Sequence, residues 1–378
     1  MNRRRFLGSA AAGAGWLRGQ SGDLPAAIRN LRPMTDGVRP ITSEERQGRV
    51  EKARRLMHEN RMGAVVMENG SSMFYYTGER RDAVLVLAAR GEPAWAMHAT
   101  EAARMLRGTG RVGLEERVSF ALFDSLRQAL PATELVSADP VTVGCRVIKS
   151  PAEIGLMQHA NDVTIAAYRA ALSTLREGLD QRELSAYITE AYKALGYKGH
   201  ALVIFGKYTA FPHGSVQPQK LKEGDFVLID DGCAVEGYQS DITRTVIFGR
   251  PTARQRQVWE LERRAQDAAL KAAQVGATCE SVDAAARKVI TDGGFGPGYK
   301  MPGLPHRTGH GIGLDGHEWT YLVKGNKTRL QPGMCFSDEP TIAIYGEFGV
   351  RLEDCMYIRE DGGRMFTKQS AAIDQPFG

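Results

Sequence analysis

The order helix, helix, strands occurs twice between Ser150 and Ile358, and no other feature of the chain limits its fold as much. The first round opens at Ser150-Pro151-Ala152-Glu153, which joins an N-cap serine, a proline at the first helical position and a glutamate three residues on. A long helix to about Arg176, stopped by Gly178, is predicted from there. Asp180-Gln181-Arg182-Glu183 starts a second helix that stops at Gly196. Strand-like runs follow at residues 202–205, 226–229 and 242–248. The second round has a long helix over 252–275 ended by Gly276, then another opened at Thr278-Cys279-Glu280-Ser281 and ended by Gly293 and Gly294. Its strands fall around residues 334–336, 341–344 and 355–358. The expectation is a duplicated half with a site between the two halves, although they share no visible sequence identity.

Upstream, Thr42-x-x-Glu45 forms a capping-box pattern that opens a helix to about Met57. Apolar runs at residues 64–67, 74–76, 83–87 and 94–97 then alternate with turn residues and helical stretches such as 101–106. This reads as a small α/β domain ending near Val147. It holds no cluster of ligand-type residues, so its expected role is to cover or shape a site elsewhere. The expected layout is a leader and tether over 1–38, the small domain over 39–147 and the duplicated domain over 148–378.

Charge excludes some partners. The chain of 378 residues has a formal charge of +5, but residues 1–38 hold six arginines against Asp23 and Asp36. The remaining body is therefore close to neutral, which gives no support for a nucleic-acid or anionic-membrane partner. Cysteines 145, 233, 279, 335 and 355 form no CxxC pair, so neither a zinc ribbon nor a disulfide framework is indicated. The start, MNRRRFLGSAAAGAGWL, has a basic head and a weakly apolar run over residues 6–17, too short to span a bilayer. Arg3, Arg4 or Arg5 followed by Phe6 and Leu7 resembles a twin-arginine export signal, and export to the periplasm or exterior is expected. Without a functional signal the protein would stay cytoplasmic. No stable membrane anchor is expected.

Carboxylates and histidines carry the chemistry. Residues 306–318 read HRTGHGIGLDGHE and hold His306, His310 and His317 among glycines. Glycine is poor in helix interiors, so a loop or short strand lining a polar site is expected, with glycines that let backbone approach a substrate. Asp230 ends the apolar run at 226–229 and Asp241 begins the next, with a turn at Glu236-Gly237 between them. Antiparallel strands joined that way bring both aspartates to one end of a hairpin. Glu339 in SDEP and Glu353 in VRLED are flanked by apolar runs, so both are expected to be buried or half-buried. Buried carboxylates are rare unless paired or bound to metal, and Arg351 or Arg244 could supply a partner instead. Two Asp, two Glu and one His form an oxygen-rich set suited to two divalent ions.

Residues 146–358 resemble the pita-bread metallopeptidases, most of all Xaa-Pro aminopeptidases and prolidases. The resemblance implies an α/β (α+β) pita-bread catalytic domain after a shorter creatinase/prolidase-like N-terminal domain. It assigns Asp230, Asp241, His310, Glu339 and Glu353 to two metals, with Asp241 and Glu353 bridging them. Manganese is the first expectation; cobalt, zinc and iron are the alternatives. His213 matches a proton-shuttling histidine that touches substrate, His317 one beside the scissile bond, and His306 one on the leaving-group side. Arg351 matches an arginine near the metals. The implied reaction is hydrolysis of the bond between an N-terminal residue and proline by a hydroxide bridging the metals. Glu339 handles the proton, and a homodimer is expected. Prolidase action on dipeptides, or a less selective aminopeptidase, are the alternatives; outside enzymes, an inactive binding module on the same fold. Two positions depart from the family pattern. Asp231 follows Asp230 where a small residue is common, and it is expected to face away. Trp319 stands where proline is frequent, beside His317.

Overall fold

The computed structural model describes residues 24–378. The expected export signal lies in the stretch before Asp23, outside the described residues. Among the described residues, no helix is long and apolar enough to cross a membrane.

Five strands between residues 64 and 137 form one sheet, in the order Ala94–Ala96, Val84–Ala88, Ala64–Met67, Arg111–Leu114, Glu134–Ser137. Alternation along its strands divides two cores. Ala64, Val66, Val84 and Val86 pack under the helices Ala99–Met105 and Phe120–Ala129. Val65, Met67, Leu85 and Leu87 point the other way, into a core that continues through the helices Ser43–Glu59 and Pro151–Leu172. The small sheet is thus fastened by its own side chains to the duplicated part. Three of the four early apolar runs are strands. The fourth, around Phe74, lies in the helix Ser71–Thr77 instead, closed by Gly78 in the left-handed region at φ 76°.

Helix pairs and antiparallel strands alternate as expected. Pro151–Leu172 packs on Gln181–Ala194, and Ala253–Ala272 on Cys279–Asp292. Ser150 and Glu153 form the reciprocal capping box, and Thr252 with Gln255 forms a second one. The first long helix ends at Leu172 rather than near Arg176. Ser173 and Thr174 turn their hydroxyls back onto the carbonyls of Ala170 and Ala171, each at 2.7 Å, which competes with further helix. At Thr42 only the threonine half of the capping pattern forms, with its hydroxyl accepting from the Glu45 N–H.

Leu202–Phe205, Phe226–Asp230 and Arg244–Ile247 make an antiparallel sheet of three strands. A second antiparallel sheet runs Glu318–Leu322, Gly309–Gly311, Cys335–Asp338, Asp354–Arg359, Gly362–Met365. Thr341–Ile344 and Phe348–Arg351 form a separate hairpin. The site-bearing residues sit where these strands end. Asp241 was expected to begin a strand; it instead precedes one by three residues. Asp231, at φ 123°, bends the partner strand away, so the ladder stops at the Ile229–Arg244 pair.

Candidate active site

One open cavity is lined by every residue singled out above: His213, Asp230, Asp241, His306, His310, His317, Glu339, Arg351 and Glu353. Pro212, Pro305 and Arg307 complete its wall.

Its floor is made of carboxylates. Asp230 hangs from the end of Phe226–Asp230 and accepts from Thr243 Oγ1 at 2.6 Å and from the Arg351 guanidinium. Glu353 Oε2 also lies 2.6 Å from Thr243 Oγ1, which accepts from Arg351 Nε at 3.0 Å. A hydroxyl has one proton to give, so it cannot satisfy two carboxylates at once. Glu353 Oε1 is buried and has no hydrogen-bond partner. Asp241 is held through its backbone, whose N–H and C=O meet Cys355 Sγ at 3.3 and 3.2 Å. Burial, then repulsion from the neighbouring carboxylates, pushes Asp241 and Glu353 well above the usual range. Burial also raises Glu339, to about 7, although Arg351 opposes it.

His310 faces this floor from the strand Gly309–Gly311. Its Nδ1 lies 3.1 Å from the Gly311 carbonyl and donates to it, so Nε2 carries the lone pair. That lone pair faces Glu339 Oε1 at 3.3 Å and Asp241 Oδ2 at 3.7 Å. Burial, followed by the field of His317, lowers the imidazole to about 3 and keeps it neutral. Acceptors facing acceptors in a buried pocket repel unless a proton or a cation sits among them. Three overlapping sets could hold one: Asp230, Asp241 and Glu353; His310, Glu339 and Glu353; Asp241, His310 and His317, each with ligand atoms within 4.8 Å of one another. The donor chemistry therefore fits a pair of hard divalent ions.

The remaining predicted residues form the wall. His317 stacks on His310 with ring centroids 3.8 Å apart and is exposed to the cavity. His306 is half-buried, with Nε2 3.0 Å from Thr341 Oγ1 and Nδ1 2.7 Å from the Arg307 carbonyl. Burial lowers its pKa to about 4. His213 is exposed and lines the same cavity. Asp231 turns out of the cavity to His200, 2.8 Å away. Arg244 does not serve the site carboxylates; it pairs with Asp354 at 2.6 Å.

The glycines around His310 do something other than expected. A Cβ at Gly309 would lie 2.1 Å from the Ser337 carbonyl, and one at Gly311 would lie 2.7 Å from the Glu318 carbonyl. These two admit neighbouring strands rather than a substrate, and none of the four glycines in residues 306–318 has a positive φ.

Sequence reasoning missed Thr243, Cys355, Arg307 and the anchor beneath His317. Glu318, next to His317, is buried between Arg146 and Lys149, with Lys149 Nζ 3.0 Å away. Burial would raise this carboxyl, but Lys149 and Arg146 prevail and hold it at about 2. Thr243 could have been found in SDITRT, two residues past Asp241; nothing in the sequence marked Arg307.

The model for metallopeptidase family M24 matches residues 155–360. The chain belongs to this family. It is 33% identical over 267 residues to a Xaa-Pro dipeptidase of Pyrococcus furiosus, covering 70% of this chain and 75% of that protein. Its structure superimposes on a dipeptidase PepE of Mycobacterium ulcerans with a TM-score of 0.80 at 29% identity, covering 89% of this chain and 99% of the other. A Xaa-Pro dipeptidase from Bacillus anthracis gives a TM-score of 0.79 at 26% identity, covering 85% and 98%. An M24 pita-bread fold and a hydrolase that uses divalent metal ions follow from membership.

Proposed function

We propose that this M24 enzyme hydrolyses the peptide bond between an N-terminal residue and a following proline, with two metal ions held by Asp230, Asp241, His310, Glu339 and Glu353. The observation that carries the metal assignment is the buried floor: the neutral His310 Nε2 faces carboxylate oxygens, and Glu353 Oε1 is buried without a hydrogen-bond partner. Proline selectivity is supported by the names of the relatives, which are Xaa-Pro dipeptidases.

When bound, the ions acidify a water and polarise the scissile carbonyl. The rest falls to the chain. Glu339, on the floor beside that water, can take its proton and pass it on. His317 receives a hydrogen bond from Arg307 at its Nδ1, so its proton sits on Nε2, free to donate to the developing oxyanion. In this reading His213, which lines the same cavity, protonates the leaving imide nitrogen. Arg351 fixes Asp230 and has no free role. His306 fills the wall on the leaving-group side.

Manganese leads among the metals because the donor set is mostly carboxylate with one imidazole and no thiolate. Export through the twin-arginine-like start and a homodimer belong to the same proposal; protease protection in fractionated cells and sedimentation velocity test them. Metal analysis of the purified protein, with hydrolysis of Ala-Pro, Ala-Pro-Ala and Ala-Ala-Ala, tests the core of it. Two ions per chain and a strong preference for the proline peptides are expected. Equal rates on all three would remove the proline assignment and leave the metal site standing.

A further inference from the structure

His317 is the last residue of a loop that joins the strand Gly309–Gly311 to the strand Glu318–Leu322. Among the described residues its imidazole has one hydrogen-bond partner, Arg307, and it stacks on His310. Neither contact fixes the backbone from which the ring hangs. That backbone is held by two carboxylates, Asp315 two residues before the histidine and Glu318 directly after it. Arg146 serves both. Its Nη2 donates to Asp315 Oδ2 at 2.7 Å and to Glu318 Oε1, and one guanidinium nitrogen carries the two protons this needs. Glu318 Oε1 also accepts from the Asp315 N–H at 3.1 Å, which closes the turn around His317. Glu318 Oε2 accepts from Lys149 Nζ at 3.0 Å. The fit is close: a Cβ on Gly313 would lie 2.8 Å from Lys149 Cε and 2.9 Å from Glu318 Oε2.

The other end of these contacts lies in the small domain. Arg146 closes the helix Asp139–Arg146, and its Nη1 donates to Ser72 Oγ at 3.1 Å. Ser72 donates in turn to Glu115 Oε1 at 3.0 Å. Asp315 Oδ1 accepts from Ser71 Oγ at 2.7 Å and faces the Arg117 guanidinium at 3.4 Å. The cleft between the domains is lined by Ser72, Arg117 and Arg146 on one side and by Asp315 and His317 on the other. His317 thus lines two cavities, the active site and the seam with the small domain. Buried ion pairs are a weak source of stability, because desolvation offsets their attraction, and apolar side chains of the same volume often hold a fold as well. What charge and hydrogen bonds add here is direction. An imidazole that donates to a developing oxyanion has to be placed closely, and a shift of about 1 Å can cost about 10²-fold in rate.

We propose that the small domain positions His317 for the reaction. Together with Lys149, its Arg146 and Ser71 grip Asp315 and Glu318, and so place the loop that carries the imidazole. Asp315 and Glu318 are positioning residues, since neither lines the active-site cavity. This role rests on the peptidase reading, in which His317 faces the oxyanion. It gives the small domain, which brings no ligand to the candidate metal sets, a part in catalysis.

The test is a double-mutant cycle on the metal-loaded enzyme, with Ala-Pro-Ala as substrate and Ala-Ala-Ala in its place if proline is not preferred. Glu318→Gln keeps the volume and removes the charge; kcat is expected to fall about 10-fold, with KM and metal content unchanged. In a His317→Ala background the same change should lower kcat by less than about 2-fold, because the group it positions is gone. Asp315→Asn, which loosens the contacts to Arg146 and Arg117, should lower kcat about 5-fold and show the same loss of effect without His317. This second variant lies nearer the surface, so it serves if Glu318→Gln does not fold. Effects that carry over in full to the His317→Ala background mean that the carboxylates only support the fold, and overturn the proposal. An unchanged kcat in Asp315→Asn removes the small domain from it. If His317→Ala itself leaves kcat unchanged, the oxyanion role of His317 falls and the positioning role with it; if His317→Ala lowers kcat and the other losses simply add, the positioning role alone falls.

Discussion

The floor and the wall of one cavity are built by different means. On the floor, backbone sets the geometry. Asp230 ends a strand, Glu353 precedes one and its N–H donates to the Thr243 carbonyl at 3.1 Å, and Asp241 is gripped through its own backbone by Cys355. On the wall, side chains position side chains: His317 depends on Arg307, Arg307 on Tyr321, and Tyr321 on Trp319, itself 44% exposed. Charge separates them as well. The floor concentrates buried negative charge that must be neutralised for the group to ionise, whereas the wall carries an unneutralised cation. Geometry held by backbone tolerates little change; geometry held by a chain of side chains can be altered piece by piece.

The comparison breaks first, and most severely, at the floor. Asp241→Ala removes a carboxylate shared by two of the candidate ligand sets. Loss of bound metal together with a drop in kcat/KM of more than about 10³-fold is expected. Elemental analysis beside the hydrolysis rate checks it, and a mutant that keeps both metals and rate would remove Asp241 from the metal site.

Next in size is a pH effect on the metal-free protein. Glu339 is raised from 4.5 to about 7 in the folded state, so the native chain binds more protons than the unfolded one between those values. Stability from this group is therefore full below about 4.5 and is lost as pH rises through 7, by an amount of up to ~3 kcal/mol. Asp241 and Glu353 shift in the same direction and add to the trend. Thermal melts of chelator-treated protein should fall as pH rises across that window. Restored metal should flatten the slope. A chelated protein that gains stability over the same range would contradict the buried-carboxylate account of the floor.

This division also explains what could be read from the sequence. Helix starts carry local chemistry, so Ser150, Thr252 and the two helix pairs were legible. The floor was legible because a carboxylate at the end of an apolar run is costly to bury, which makes Asp230, Glu339 and Glu353 conspicuous. The course of the chain between Asp230 and Asp241 was not, since the bend at Asp231 depends on a left-handed backbone that aspartate rarely adopts. Gly309 and Gly311 suggested closeness to something, but only the fold shows that the neighbour is Ser337 or Glu318. Arg307 was invisible for a plainer reason. Its meaning lies in the hydrogen bond to His317, and that contact is a property of the tertiary fold.

On the wall, His317→Ala should lower kcat about 10²-fold, the scale of removing one donor to an oxyanion, with metal content unchanged. Metal retention is the sharper readout, because His317 also belongs to one of the candidate ligand sets. Loss of metal in this variant would move His317 from the wall to the floor.

The smallest expected effect tests whether the wall is a chain of dependence or only a row of neighbours. Trp319→Ala removes the ring beside Tyr321 and the bond to Glu116, but touches neither His317 nor a candidate ligand. If Arg307 is held through these rings, it and the His317 imidazole it orients gain freedom, and kcat should fall about 3-fold with metal content unchanged. Glu116→Gln keeps an acceptor for the indole N–H and should fall between wild type and Trp319→Ala. An unchanged kcat would mean that the arginine is positioned by Tyr321 alone.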